Sequence, residues 1–218
     1  MSSAQSGSLG LPRADPLEDF GPLSPAIRVL LSRSSVDPKT LVAPGPNHDE
    51  LRLLIASALR APAHEGLRPW RFISIEGDGR QQLSRSFAEI RRRQNPGIRP
   101  AELAMTWKKT MRAPTLIAVV MRLIEDHPKV PPHEQYISIG AAIHGLMLAA
   151  HALGFGAIML SGNRTRDSLI HTLLGLAAEE QMVVFISVGT LAKPIPPKLR
   201  SSPAAYLQIW QGNDDLGT

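Results

Sequence analysis

A predicted helix and a predicted strand are joined by residues 60–72, RAPAHEGLRPWRF. Before this stretch, apolar residues recur at the spacing of one buried helical stripe; they are Leu51, Leu54, Ile55, Ala58 and Leu59. Asn47 is a favourable N-cap, and Glu50 stands where a capping box places its carboxylate. The sequence therefore predicts an amphipathic helix that begins after Asn47.

Two prolines set the limits of the segment between the helix and the strand. Pro62 cannot continue a helix and restricts the residue before it, so the helix is predicted to end near Arg60 or Ala61. After Pro69, residues 71–76 alternate in the manner of a strand and then meet a glycine-rich turn. The pattern predicts a helix, a stiff loop and a strand.

The loop displays Arg60, His64 and Arg68 beside Glu65. Cations at a helix C-terminus are favoured by the helix dipole by about 0.3–1 kcal/mol, so a charge-capped helix end accounts for them. A ligand-binding loop accounts for them equally well. Spacing alone leaves both interpretations open.

Composition restricts the class of protein. The chain has 218 residues, 43% of them hydrophobic, which is enough for one full core. The net charge of +5 suits an anionic small ligand, and with 5% aromatic residues and no basic stripe we predict no nucleic-acid partner. The run Arg91 to Arg93 is predicted to be the solvated face of a helix. The chain has no cysteine, which excludes disulfides and thiolate sites and fits a cytoplasmic protein.

The central part of the chain is the most apolar. Thr115 to Ile124 reads as a buried strand, and Glu134 to Leu153 as a helix that is apolar almost all round. Residues 137–160 contain no charged side chain, but histidines and glycine breakers lie within them, so we predict a buried helix and no membrane span. Its small residues would permit close packing on a partner subunit.

Familiar catalytic motifs are absent from the sequence. There is no His-Glu-x-x-His, and His144 and His151 lie two helical turns apart, so no metal site is predicted. Gly154 and Gly156 stand at the start of a predicted strand, whereas the glycines of a dinucleotide-binding fingerprint lie in the turn from a strand to a helix. The sequence also has no phosphate-binding loop and no serine nucleophile elbow. With no catalytic acid, base or nucleophile recognisable, a cofactor that carries the chemistry itself fits the chain.

The quoted stretch resembles a segment of nitroreductase-family flavoproteins, especially the small YdjA-type branch. Four further segments resemble that branch in the right order; they are Ser32-Arg33-Ser34, residues 127–131 (HPKVP), Gly154 to Ser161-Gly162, and Val188-Gly189-Thr190. The similarity covers about Ile27 to Leu191. Five ordered segments are more specific than any one motif.

The resemblance implies an α+β fold with a mixed central sheet flanked by helices, in a homodimer. It implies an FMN-binding domain over residues 23–192. The Ser, Gly and Pro content of residues 1–22 predicts a flexible tail, and residues 193–218 are predicted to form an arm that packs on the partner subunit. In that arm, Tyr206 to Trp210 is a short apolar segment without an evident intramolecular partner.

FMN is the implied cofactor, and NAD(P)H the implied electron donor. By resemblance, Arg33 with Ser32 and Ser34 would hold the phosphate and ribityl end, and Arg60 and His64 would contact the cofactor. The segment Met159, Leu160 and Ser161 would approach it from the other subunit, and Lys193 is a further phosphate candidate. The implied reaction is ping-pong: NAD(P)H reduces FMN at N5, and a nitroaromatic, quinone or similar small acceptor then takes the electrons.

Two departures from the branch keep alternatives open. The branch often has two adjacent arginines where this chain has Ser32-Arg33, and Trp-Arg where it has Met159-Leu160. One alternative keeps FMN but performs flavin fragmentation or reductive dehalogenation. Another is a flavin-binding protein without turnover, and a third is a module that binds RNA through Arg91 to Arg93. The acceptor and the choice between NADH and NADPH are not encoded in any motif.

Overall fold

The computed structural model describes residues 13–14, 21–196 and 198–212. The chain divides into a main unit, Ser35–Ile195, and a smaller unit from the described residues on either side of it. The predicted N-terminal tail, residues 1–22, lies mostly outside the described residues.

Six helices and seven strands are formed by the described residues. The helices are α1 Pro25–Ser32, α2 His48–Ala58, α3 Gly77–Gln94, α4 Pro100–Thr110, α5 Pro132–Ala152 and α6 Ser168–Leu173. The strands are β1 Arg13–Ala14, β2 Leu41–Val42, β3 Trp70–Ser74, β4 Thr115–Met121, β5 Phe155–Leu160, β6 Gln181–Leu191 and β7 Arg200–Ser201. The combination of helices with antiparallel sheets confirms the predicted α+β class.

The main sheet is built on the long strand β6. It pairs antiparallel with β2, β4 and β5, and β3 pairs antiparallel with β4. Thr190 pairs with both Val42 and Phe155, so β2 and β5 flank β6 on opposite sides. Among the described residues, parallel pairing is limited to a single isolated bridge between Ser35 and Ala157. In the smaller unit, β1 and β7 form a two-stranded antiparallel sheet.

Both faces of the sheet are buried, and β4 shows why. Ile117 and Val119 belong to the core cluster that includes α2 and α5, whereas Ala118 and Val120 belong to the cluster that includes α3 and α6. Successive side chains of a strand point to opposite faces. A strand covered on both sides therefore needs an unbroken apolar run, which is the feature from which it was predicted.

Helix α5 buries one face, and its other face is uncovered in the single chain. Ile139, Ala142 and Leu146 are buried in the core, whereas Ile137 is 65% exposed and nothing lies within 4 Å of the β-position of Gly140. No helix in the described part of the chain is long and apolar enough to cross a membrane. The apolar character of α5 thus comes from two faces, one of them exposed.

The C-terminal arm carries exposed apolar side chains. Within the smaller unit, Tyr206, Leu207, Ile209 and Trp210 are each at least 70% exposed. A contiguous exposed patch of this kind is typical of an interaction surface. The sequence predicted such an uncovered segment, and its exposure is confirmed.

Candidate functional site

The loop between α2 and β3 is fixed at both ends. At the start of α2, Asn47 and Glu50 form the predicted capping box, with N–H to oxygen distances of 2.8 and 2.9 Å. The helix ends at Ala58, two residues before the predicted limit. A short 3₁₀ turn then places Glu65 at a φ of 52°, a left-handed conformation that is uncommon for a residue other than glycine.

A hydrogen bond and an ion pair join this loop to the start of α5 and to the segment before it. His64 Nδ1 lies 2.6 Å from Glu134 Oε2 in the first turn of α5, and Lys129 Nζ lies 3.2 Å from Glu65 Oε1. Arg60 is exposed at the end of α2. The structure therefore places Arg60 and His64 on the same loop, as predicted, with His64 already engaged by a carboxylate.

A cavity of about 560 Å³ opens between α3, α4, the end of β5 and the middle of β6. This volume is within the range of small-molecule and cofactor sites. Of the residues predicted from the sequence, Leu160 and Ser161 line it, and Gly162 follows them. Met159, although adjacent, is 47% exposed and does not line it.

The cavity wall is strongly cationic. Arg91, Lys109, Arg112 and Arg164 all line it, and no aspartate or glutamate does. Thr106, Ser161 and Ser187 add hydroxyl groups, and Phe87 and Phe185 add aromatic faces. Such a donor set suits a flat ligand that carries negative charge and hydrogen-bond acceptors.

The end of α4 is held in place by a buried guanidinium. Arg80 in α3 donates from Nη1 to the carbonyl of Pro114 at 2.7 Å and from Nη2 to that of Thr110 at 3.1 Å. Burial lowers the pKa of Arg80. Because Lys109 and Arg112 flank these carbonyls, Arg80 fixes the backbone that carries two of the cavity's cations.

Arg91 lines the cavity wall, so the prediction that it belongs to the solvated face of its helix was wrong. It is half-buried and donates to the carbonyl of Glu102 at 3.0 Å and to Thr106 Oγ1 at 2.8 Å. Arg92 and Arg93 are exposed and lie 2.7 Å from Glu89 and Asp167 respectively. Periodicity alone could not separate Arg91, because its partners come from a helix that folds back on α3.

A second cationic group lies in the smaller unit. Arg200 donates from Nη2 to the carbonyl of Arg33 and to Ser34 Oγ, both at 3.2 Å. Burial, and then the charge of Arg200, lowers the pKa of Arg33. Arginines placed side by side in this way favour an anion between them.

Arg200 was missed by the sequence analysis. Its strand, β7, forms only by pairing with residues near the N-terminus, and no local pattern indicates that pairing. The predicted phosphate candidate Lys193 is exposed two residues beyond β6 and does not line the cavity. Ser32 is the last residue of α1, where its hydroxyl donates to the carbonyl of Val29 at 3.3 Å.

In the described ranges, no three His, Asp or Glu side chains come together as a metal site would require. The polar groups that do converge are the cations and hydroxyls of the cavity and the Arg33–Arg200 pair.

The chain is similar to proteins of known sequence and structure. A curated relative, "Putative NAD(P)H nitroreductase YdjA" of Escherichia coli K12, is 32% identical over 177 residues, covering 81% of this chain and 91% of the relative. The crystal structure of a nitroreductase-like family protein from Bacillus cereus superposes with a TM-score of 0.73 at 23% identity, over 88% of this chain and 100% of that one. The FMN and NADPH-dependent nitroreductase NfnB from Sphigopyxis sp. strain HMH gives a TM-score of 0.65 at 18% identity, over 88% and 100%.

The two structural matches show a shared fold. The match to the Escherichia coli relative covers most of this chain. The model of the nitroreductase family matches residues 30–190, which include α2, the main sheet up to Thr190 and the residues that line the cavity. This chain therefore belongs to the nitroreductase family.

Proposed function

We propose that the protein is an FMN-dependent NAD(P)H oxidoreductase that reduces small acceptors such as nitroaromatics and quinones. The observation that carries the proposal is the cavity of about 560 Å³, lined by four cations and no carboxylate. The name of the Escherichia coli relative and the description of NfnB as FMN and NADPH-dependent support it.

The donor set fits FMN, which combines a phosphate with a flat ring rich in acceptor atoms. We assign the phosphate to Arg33, Ser34 and Arg200, since Arg200 supplies the second cation that Ser32 does not. Within the main unit, the cavity offers Lys109, Arg112 and the hydroxyl of Ser161 to a flat ring that carries acceptor atoms. Leu160 and Ser161 line that cavity from their own chain.

When bound, the flavin would supply the redox chemistry. The chain's contribution is electrostatic. Lys109 and Arg112 offset negative charge in the cavity. Arg80 keeps both cations in position through the carbonyls of Thr110 and Pro114.

The proposal includes a homodimer. The exposed face of α5 at Ile137 and the exposed arm at Tyr206–Trp210 are two apolar surfaces that a second copy of the chain would cover. Residues 193–218 would then be the arm that packs on the partner. Analytical ultracentrifugation of the full chain and of a chain ending at residue 205 tests this part.

The first experiment is an absorbance spectrum of the purified protein, with chromatography of whatever is released on denaturation. We expect flavin bands and about one FMN per chain. NADPH oxidation with menadione as acceptor then tests turnover. A colourless protein that takes up no added FMN would overturn the proposal, and bound FMN without turnover would leave a flavin-binding protein instead.

A further inference from the structure

Two arginines project into the cavity from different elements. Arg91 belongs to the last turn of α3, and Arg164 to the 3₁₀ turn Asn163–Arg166. Arg91 is fixed by its hydrogen bonds to Glu102 and Thr106. The guanidinium carbon of Arg164 lies 5.9 Å from the ring centroid of Phe87, a cation–π arrangement.

The aromatic side of this arrangement is also preorganised. Phe87 packs edge-to-face on Phe185, with ring centroids 5.8 Å apart, and both rings line the cavity. Such a geometry fixes the plane on which Arg164 lies. The cavity therefore offers an aromatic surface directly beside two guanidinium groups.

The charge of Arg164 is not balanced by any carboxylate of the described residues. Arg91 has the carboxylate of Glu102 at 3.9 Å, but Arg164 has no carboxylate within 4.0 Å in the part of the chain that the structure describes. The nearby acids Glu89 and Asp167 are paired with Arg92 and Arg93. Burial, and then the charge of Arg91, lowers the pKa of Arg164. Two like charges held together favour the binding of an anion.

The flavin phosphate does not account for this second pair. FMN carries one phosphate, and Arg33 with Arg200 provides a cation pair for it. Under that assignment of the phosphate, an anion bound at Arg91 and Arg164 belongs to a ligand other than FMN. An aromatic acid satisfies both features, because its carboxylate meets the arginines and its ring meets Phe87.

We propose that Arg91 and Arg164 make the protein selective for electron acceptors that carry a carboxylate on an aromatic ring. This inference rests on the proposed function, and it names the substrate class of that site. Neutral nitroaromatics and quinones would be weaker acceptors, because they leave the arginine pair without a counter-charge.

Steady-state kinetics of the full-length, FMN-loaded protein tests the inference. The acceptors are 4-nitrobenzoate and 4-nitrobenzamide, which have nearly the same shape and differ in charge. We expect kcat/KM to favour 4-nitrobenzoate, and Arg164→Gln to lower that ratio by about tenfold or more, through KM. Arg164→Lys should restore part of it. Arg166→Gln, two residues away and outside the cavity wall, is the matched control and should keep the ratio.

Calorimetric titration with each nitro compound gives a readout that does not depend on turnover. If 4-nitrobenzoate binds and Arg164→Gln weakens that binding, the result supports the site even where no acceptor is reduced. Equal preference for the two compounds, or a mutation that raises only the KM of NADPH, would overturn the inference. If the protein reduces menadione but does not prefer 4-nitrobenzoate to 4-nitrobenzamide, only this inference is overturned. If it reduces no acceptor at all, the proposed function is overturned.

Discussion

Gly145 in α5 lies directly against the backbone of α2: a β-carbon at this position would be 3.0 Å from the carbonyl oxygen of Ser57. The contact joins the two helices at the second-last residue of α2, just before the quoted loop begins. The small residues of α5 were predicted to permit close packing on a partner subunit. Gly145 instead permits it within the chain.

Gly145→Val should destabilise the fold. The added methyl groups meet backbone, which cannot move aside cheaply, so we expect the free energy of unfolding to fall by about 1–3 kcal/mol. Gly79→Val in α3 is the control, because the nearest atom to its β-position, Ile75 Cγ2, is 3.7 Å away, an ordinary van der Waals contact. It should change stability by less than about 0.5 kcal/mol. Urea unfolding at pH 7 measures both, and equal losses would contradict the packing argument.

Glu180 should make stability depend on pH. Its hydrogen bonds from Arg71, at 2.6 and 2.8 Å, are the main cause that lowers the pKa of Glu180 from 4.5 to about 2. Because the folded-state pKa is depressed, the stabilisation is full above about pH 4.5 and is lost as pH falls towards 2.

We therefore expect Glu180→Gln to cost about 1–2 kcal/mol at pH 7, after a discount for solvent screening, and less than half of that at pH 3. Glu179→Gln is the control, since its pair with Arg122 is longer, at 3.3 Å, and more exposed. Urea unfolding at pH 7, 5, 4 and 3 gives the comparison. A cost that stays constant down to pH 3 would refute the assignment.

Local patterns predicted the parts of the fold that depend on local chemistry. The cap at Asn47 and the unbroken apolar strand β4 follow from rules that act within a few residues. The cavity could not be found in this way. Its cations come from segments far apart in sequence, and only tertiary contacts bring Lys109 beside Arg164. The pairing that brings Arg200 to Arg33 is equally non-local.

Arg80 should be worth more to stability than a surface arginine. Arg80→Met removes two hydrogen bonds and leaves the carbonyls of Thr110 and Pro114 without that donor, which should cost about 2–4 kcal/mol. Arg85→Met, on the exposed side of the same helix, should change stability by no more than about 0.5 kcal/mol. Thermal unfolding of both variants is the measurement, and similar midpoints would mean that the buried contacts contribute little.

Arg33→Ala should weaken FMN retention. Under the proposed function it removes a charge-assisted phosphate contact, worth about 1.5–3 kcal/mol, so FMN should bind about 10- to 150-fold more weakly. Arg200→Ala should have a similar effect, because it removes the second cation and also the hydrogen bonds that hold Arg33 and Ser34. Arg28→Ala, an exposed arginine on α1, is the control. Flavin content after gel filtration and fluorescence titration of the apoprotein measure the effect. Wild-type affinity in both variants would place the phosphate elsewhere, and the Arg91–Arg164 pair would then be the first alternative to mutate.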